Sequence, residues 1–261
     1  MAEVWFIGAG PGAPDLLTVR GARLIGEADV VIWARSLVNE GVLEHARGDA
    51  EIIESTTIPL EGVRELYERA LAEDLRVARV HSGDPSIYGA VMEQAELCEE
   101  IGLPWEIVPG VSSLGAAAAA IGRELTVPEV SQSVILTRRA SRTPMPDGEE
   151  IRSLASHGTT MAIFLSAARP RALQEELMEG GYAPDTPCAV VYKASWPDEL
   201  VIECPLEELA DRIRGAGFTR QALILGGPGL AAGGTRSHLY SPRFSHMFRR
   251  AGPAGEGDNA P

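Results

Sequence analysis

Three short loops, residues 8–14, 81–88 and 109–113, constrain this chain most, because each is rich in Gly, Pro, Ser or Asp and each follows a short apolar run. Runs of four to six β-favouring residues that end in such loops and lead into helix-period segments predict strands of a parallel α/β sheet, since parallel neighbours need a crossover between them. In a parallel sheet the loops that follow the strands emerge on one edge, so the three together form one wall of a site. The middle loop, Gly83-Asp84-Pro85, is the most telling. Gly83 permits a positive φ and close backbone approach, Pro85 fixes φ where a helix starts, and Asp84 offers a carboxylate or an N-cap. Taken alone, Gly-Asp-Pro is a turn signal; beside two further loops of the same kind it reads as a binding loop.

The alternation continues along the chain. Strands are expected at 4–7, 30–33, 76–81 and 105–108, with helices at 15–27, 60–73, 90–101 and an alanine-rich one at 114–121 whose small face requires a closely packed neighbour. After Thr126-Val-Pro-Glu129 the pattern restarts, with strands at 133–137, 160–165, 187–192 and 221–225 and helices at 170–180 and 206–214. The reading is two α/β domains, 1–125 and 126–250, followed by a Gly-, Ala- and Pro-rich tail, 251–261, expected to be disordered.

No run of about 18 apolar residues occurs, and the start, Met-Ala-Glu-Val-Trp-Phe-Ile-Gly, has no basic flank of a signal peptide, so a cytoplasmic protein without membrane association is expected. A net charge of -14 disfavours nucleic acid, which needs a basic face to displace counterions. Cys98, Cys188 and Cys204 show no metal-ligand spacing and fit buried thiols, so no metal is expected. Lys193 is the only lysine among 23 basic residues. A bias to arginine leaves lysine where a compact ammonium is needed, which makes Lys193 a candidate functional residue.

Gly8, Gly10 and Ala13 satisfy a dinucleotide fingerprint after a strand. Pro11 and Pro14 stiffen that turn, however, and the second strand ends in Ala34 and Arg35 rather than an acidic residue. Arg35 suits a 2′-phosphate, so an NADP-dependent oxidoreductase stays open, as does a noncatalytic nucleotide-binding module. Arg138, Arg139 and Arg142, in a Pro-rich loop after a strand, suit a carboxylate-rich substrate, and His81 beside the Gly-Asp-Pro turn is a further substrate-contact candidate. No Gly-x-Ser-x-Gly, His-Glu-x-x-His or Cys-x-x-Cys occurs, which points to group transfer between two bound molecules.

Gly-Ala-Gly-Pro-Gly-x-Pro with Leu17-Thr18, then Gly83-Asp84-Pro85, then Pro109-Gly-Val-Ser-Ser113, resembles the S-adenosylmethionine-dependent tetrapyrrole methylases of cobalamin and sirohaem synthesis, from residue 3 to about 250. Within that family Val80–Gln94, Val134–Arg138 with Arg142–Pro146, and Val191–Glu199 resemble the branch that methylates C11 of precorrin-4. The resemblance implies a homodimer of two-domain α/β subunits, a parallel sheet in the first domain and a mixed sheet in the second, with the cofactor in the cleft between them. It places cofactor contacts on Pro11, Gly83, Asp84, Ile87, Tyr88, Ser112, Ser113, Phe164, Leu165, Lys193, Ala194, Ala222 and Leu223, and leaves His81, Arg138, Arg139 and Arg142 to the tetrapyrrole. Ala13 stands where the family often has Asp, which argues against a carboxylate role in the first loop.

Overall fold

The computed structural model describes residues 1–231, 233, 241, 244, 245 and 247–250; the tail expected from 251 onward lies outside the described residues. Strands β1 (Glu3–Gly8), β2 (Val30–Trp33), β3 (Glu51–Glu54), β4 (Arg76–His81) and β5 (Trp105–Val108) form one sheet in the order β3-β2-β4-β1-β5. Every pairing in it is parallel. β1 reads as a nearly unbroken apolar run because both of its faces are covered. Val4 and Phe6 pack with Val63 and Tyr67 of α2 (Leu60–Ala72) and Val91 and Ala95 of α3 (Val91–Ile101), while Trp5 and Ile7 pack with Leu24 and Ile25 of α1 (Val19–Glu27). β1 lies between β4 and β5, with Gly8 level with His81 and Ile7 level with Val108. The three expected loops are therefore neighbours on one edge.

The second sheet is mixed. β6 (Val134–Arg138), β7 (Thr160–Phe164), β8 (Pro187–Tyr192), β9 (Leu200–Pro205) and β10 (Ala222–Gly226) run in the order β6-β7-β10-β8-β9. Only the β6–β7 pairing is parallel. Side chains of α5 (Ile151–Ala155), α6 (Pro170–Glu179) and α7 (Leu209–Gly215) bury one face. The other face receives the alanine-rich helix α4 (Ser113–Ala120), whose fully buried Ala117 clusters with Ala162, Ala189, Val191 and Leu223. Alanine lets the helix lie close to the strands, so a segment read as the end of the first domain packs into the core of the second.

Four elements in particular differ from the sequence reading. The helix expected from residue 15 starts at Val19, because Pro14–Leu16 form a 3-10 turn and the Thr18 hydroxyl accepts the Gly21 N–H at 3.1 Å as N-cap. β3 and β9 were not anticipated: both are edge strands with largely exposed side chains, so neither carries a strong apolar signal. The five-residue α5 is too short for a period to register. Among the described residues, no helix is long and apolar enough to cross a membrane.

Candidate functional site

Backbone contact, with no side chain between, fuses the three loops of the first sheet. The Gly83 N–H donates to the Gly10 carbonyl at 2.8 Å and the Ala9 N–H to the His81 carbonyl at 2.7 Å. A Cβ on Gly110 would stand 2.1 Å from the Gly83 carbonyl oxygen and 2.6 Å from the Gly8 Cα, so only glycine allows this approach. Gly83 itself has φ +66, and a Cβ there would face Ser112 and Ser113 with its nearest neighbour, the Ser113 nitrogen, 3.8 Å away. The result is an open notch between the second and third loops. Asp84 ties those loops: its carboxylate accepts the Gly110 N–H at 2.8 Å and the Ser86 N–H at 2.9 Å, with the Ser86 hydroxyl on the same oxygen as the latter. Partial burial pushes the Asp84 carboxyl up, but the hydrogen bonds from Ser86 and Gly110 outweigh it and hold it below the usual range. Ser112 caps α4, accepting the Leu114 N–H at 3.2 Å.

The second sheet presents a matching edge. Arg138 is level with Phe164, and Tyr192 with Ala222, so the C-terminal ends of β6, β7 and β8 and the start of β10 lie together. This edge carries Phe164, Leu165, Lys193, Ala194, Ala222 and Leu223. Ala194, Ala222 and Leu223 are buried, which leaves mainly backbone for a ligand, whereas Leu165 is 70% exposed. Its backbone is unusual. Leu165, Lys193, Ser195 and Gln221 all have positive φ, as do Tyr88 and Ala90 on the loop after β4. Non-glycine residues in that region cost of order 1 kcal/mol or more each, and strain of this kind concentrates at working sites. The Lys193 ammonium sits 2.5 Å from Asp198 and lies 5.5 Å and 5.4 Å from the ring centroids of Tyr192 and Trp196. The bond to Asp198 raises its pKa.

The two edges face each other. Tyr88 meets Phe164 with centroids 5.4 Å apart, the Trp196 Nε1–H donates to the Pro11 carbonyl at 3.0 Å, the Ala13 N–H donates to Ser195 Oγ at 2.9 Å, and the Gln221 amide donates to the Ser36 carbonyl at 3.2 Å. Pro11, Tyr88, Phe164 and Lys193, more than 180 positions apart at the extremes, thus lie where the two edges meet, with Gly83, Asp84 and Ser112 on the neighbouring loops of the first. Trp196, Ser195 and Gly12 were not named from the sequence as contacts; the run Val191–Glu199 pointed at the first two and the Gly/Pro loop 8–14 at the third.

The four substrate candidates are placed differently. Arg139 is tied down, pairing with Glu176 at 2.7 Å, while its N–H donates to the Ser166 hydroxyl at 2.8 Å. The Arg138 guanidinium donates to the Thr143 and Pro144 carbonyls at 3.2 and 3.0 Å and so shapes its own loop. Arg142 is exposed and makes no ion pair among the described residues. His81 is buried against Phe6, with ring centroids 5.9 Å apart, and its Nε2 has no hydrogen-bond partner among the described residues. Burial first, then the Arg79 charge, hold its pKa down to about 3, so it is neutral and adds no positive charge to the site.

That shift carries a stability consequence. The folded-state pKa lies below the ordinary 6.5, so the contribution of neutral His81 is complete above pH 6.5 and is lost as pH falls toward 3. Urea unfolding at pH 7, 6 and 5 is expected to show a loss attributable to His81 of about 1.4 kcal/mol per pH unit once below 6.5, and His81→Asn is expected to remove that slope. An equal slope in both proteins would assign the titration elsewhere.

Similarity to known proteins follows the same lines. A profile of tetrapyrrole (corrin/porphyrin) methylases matches residues 3–210. The chain is 46% identical over 250 residues to a cobalt-precorrin-4 C(11)-methyltransferase of Methanocaldococcus jannaschii, covering 95% of this chain and 96% of that one. A solved cobalt precorrin-4 methyltransferase superimposes with a TM-score of 0.86 at 43% identity, over 88% of this chain and 96% of that one. The uroporphyrin-III C-methyltransferase of Thermus thermophilus, solved with S-adenosylhomocysteine, gives 0.73 at 32% identity, over 88% and 93%.

Proposed function

The chain belongs to the tetrapyrrole (corrin/porphyrin) methylases, and from that membership we infer that it transfers a methyl group from S-adenosylmethionine to C11 of precorrin-4 or of its cobalt complex, a step of cobalamin biosynthesis. The observation that carries the reading is the direct meeting of two loop-bearing sheet edges, one built of glycine backbone and the other of strained backbone. The cofactor supplies a methyl group made electrophilic by its sulfonium, and the macrocycle carbon takes it as the S–CH3 bond breaks. Alignment is the protein's part in such a transfer, since holding two reactants in line is worth several kcal/mol of barrier.

In this reading the notch at Gly83, with Asp84, Ile87, Tyr88, Ser112 and Ser113, holds the cofactor from one side. Pro11, on the first loop, joins that side, and Phe164, Leu165, Lys193, Ala194, Ala222 and Leu223 hold it from the other. Gly83 suits that role because a Cβ would fill the space before Ser112 and Ser113. Arg142, whose guanidinium makes no ion pair among the described residues, is the member of the cluster available to a macrocycle carboxylate; Arg138 and Arg139 shape the loop that presents it. We take the chain as two units, 1–125 and 126–250, acting as a cytoplasmic homodimer, which sedimentation of the purified protein tests.

Calorimetric titration separates this reading from the oxidoreductase one: S-adenosylhomocysteine is expected to saturate one site per chain and NADPH to give no heat, and the reverse pattern overturns it. Lys193→Arg is expected to lower kcat/KM at least tenfold, about 1.4 kcal/mol of transition-state stabilisation. The ammonium fits between Asp198 and two aromatic rings, whereas a guanidinium is planar and larger. Steady-state kinetics within twofold of the parent would make Lys193 an accident of composition.

A further inference from the structure

The loop after β8 grips the first loop of the other sheet, and the grip has a feature that backbone conformation does not explain. Gly12 does not have a positive φ. Yet a Cβ there would stand 2.1 Å from Cδ1 and 2.4 Å from Nε1 of Trp196, and the three nearest atoms all belong to that indole. The missing side chain at position 12 is therefore the seat of a ring contributed from 184 positions further on. On either side of this seat the two loops bond directly, Trp196 Nε1–H to the Pro11 carbonyl at 3.0 Å and the Ala13 N–H to Ser195 Oγ at 2.9 Å.

The gripping loop is itself held. Ser195, at φ +66, donates its N–H to the Glu199 carboxylate at 2.6 Å, and the Trp196 N–H donates to the Lys193 carbonyl at 2.9 Å. The Trp196 ring lies 5.4 Å from the Lys193 ammonium, which couples the seat to a residue of the proposed cofactor site. Glycine without need of glycine's conformations, an indole over it, and bonds on both flanks together describe a built contact between two sheets that otherwise fold around separate cores.

We propose that Gly12, Ser195 and Trp196 form a clasp that sets the width of the cofactor cleft at one rim, acting as positioning residues for methyl transfer. The inference rests on the reading that S-adenosylmethionine lies between the Gly83 and Lys193 loops. A clasp acts through geometry: widening the rim by an ångström misaligns the methyl group and weakens every contact that needs both edges.

A double-mutant cycle tests it, with S-adenosylhomocysteine titrated into the parent protein, Gly12→Ala, Trp196→Ala and the double variant, and KM for S-adenosylmethionine measured alongside. Gly12→Ala is expected to weaken binding at least tenfold, because its methyl group pushes the indole out. Trp196→Ala is expected to weaken it about threefold to tenfold, and Trp196→Phe, which keeps a ring but loses the N–H, to fall between it and the parent. The decisive result is the double variant matching Trp196→Ala within twofold, since the alanine no longer meets an indole. Independent, multiplying effects, or a Gly12→Ala variant within twofold of the parent, overturn the clasp. Should Gly12→Ala not fold, recovery of folding in the double variant supports the clasp and its failure overturns it. A parent protein that does not bind S-adenosylhomocysteine would sink the functional reading itself, whereas a binding parent with an additive cycle sinks the clasp alone.

Discussion

Gly110→Ala should abolish measurable S-adenosylhomocysteine binding, with a loss of at least a hundredfold, and lower the melting temperature by several degrees. The added Cβ would lie 2.1 Å from the Gly83 carbonyl oxygen and 2.6 Å from the Gly8 Cα, and both obstacles are backbone. A clash with a flexible side chain is relieved by a rotamer change; here two loops and a strand end must move apart. Overpacking a fitted site typically costs about 1–3 kcal/mol, and a hundredfold in affinity corresponds to about 2.7 kcal/mol. The displacement falls on the Gly83 notch, so binding is expected to suffer more than folding. Titration and thermal melting of the one variant check both halves, and parental affinity would mean that the three loops do not enclose the ligand.

Asp84→Ala should weaken S-adenosylhomocysteine about tenfold to a hundredfold while the protein still folds. The carboxylate accepts from Gly110, 26 residues away, and from both donors of Ser86, so its loss unties the second loop from the third and leaves the Gly110 N–H without its acceptor. Hydrogen bonds to a charged group contribute about 1.5–3 kcal/mol each, and part of that is recovered by water at a partly exposed site. Asp84→Asn keeps one acceptor oxygen and is expected to fall between the two. Calorimetry of both variants, with circular dichroism as the check on folding, decides it; equal affinities for parent and alanine variant would make Asp84 a surface turn residue.

The sheet edge that carries the candidate site was legible because its physics is local. β4, β5 and β8 were read with their observed limits, since each is a short β-branched or apolar run ended by Gly, Pro or a polar turn, and the loops after β1, β4 and β5 share an edge because β4 and β5 both pair parallel with β1. The mixed second sheet came from family resemblance, because strand direction leaves no mark on a run of apolar residues. The arginine cluster shows the limit most clearly. Arg138, Arg139 and Arg142 look equivalent in the chain, but Arg139 meets Glu176 from α6, 37 residues on, and Arg138 bonds its own loop's carbonyls. Partners at that separation are a property of packing. The positive φ values of Tyr88, Leu165, Lys193, Ser195 and Gln221 likewise have no signature in residue type, since the tertiary structure imposes them against local preference. Gly12 was visible as a glycine, but its reason, an indole from the other sheet, was not.

The central claim is methyl transfer to one carbon of one macrocycle, so the most direct measurement is the position of the new methyl group. The purified chain is incubated with S-adenosylmethionine carrying a 13C-labelled methyl group and with precorrin-4, or separately its cobalt complex, and the product is examined by NMR. The account predicts a single labelled methyl group at C11 with stoichiometric S-adenosylhomocysteine. Label at any other ring position, or S-adenosylhomocysteine binding without transfer to either macrocycle, would contradict it.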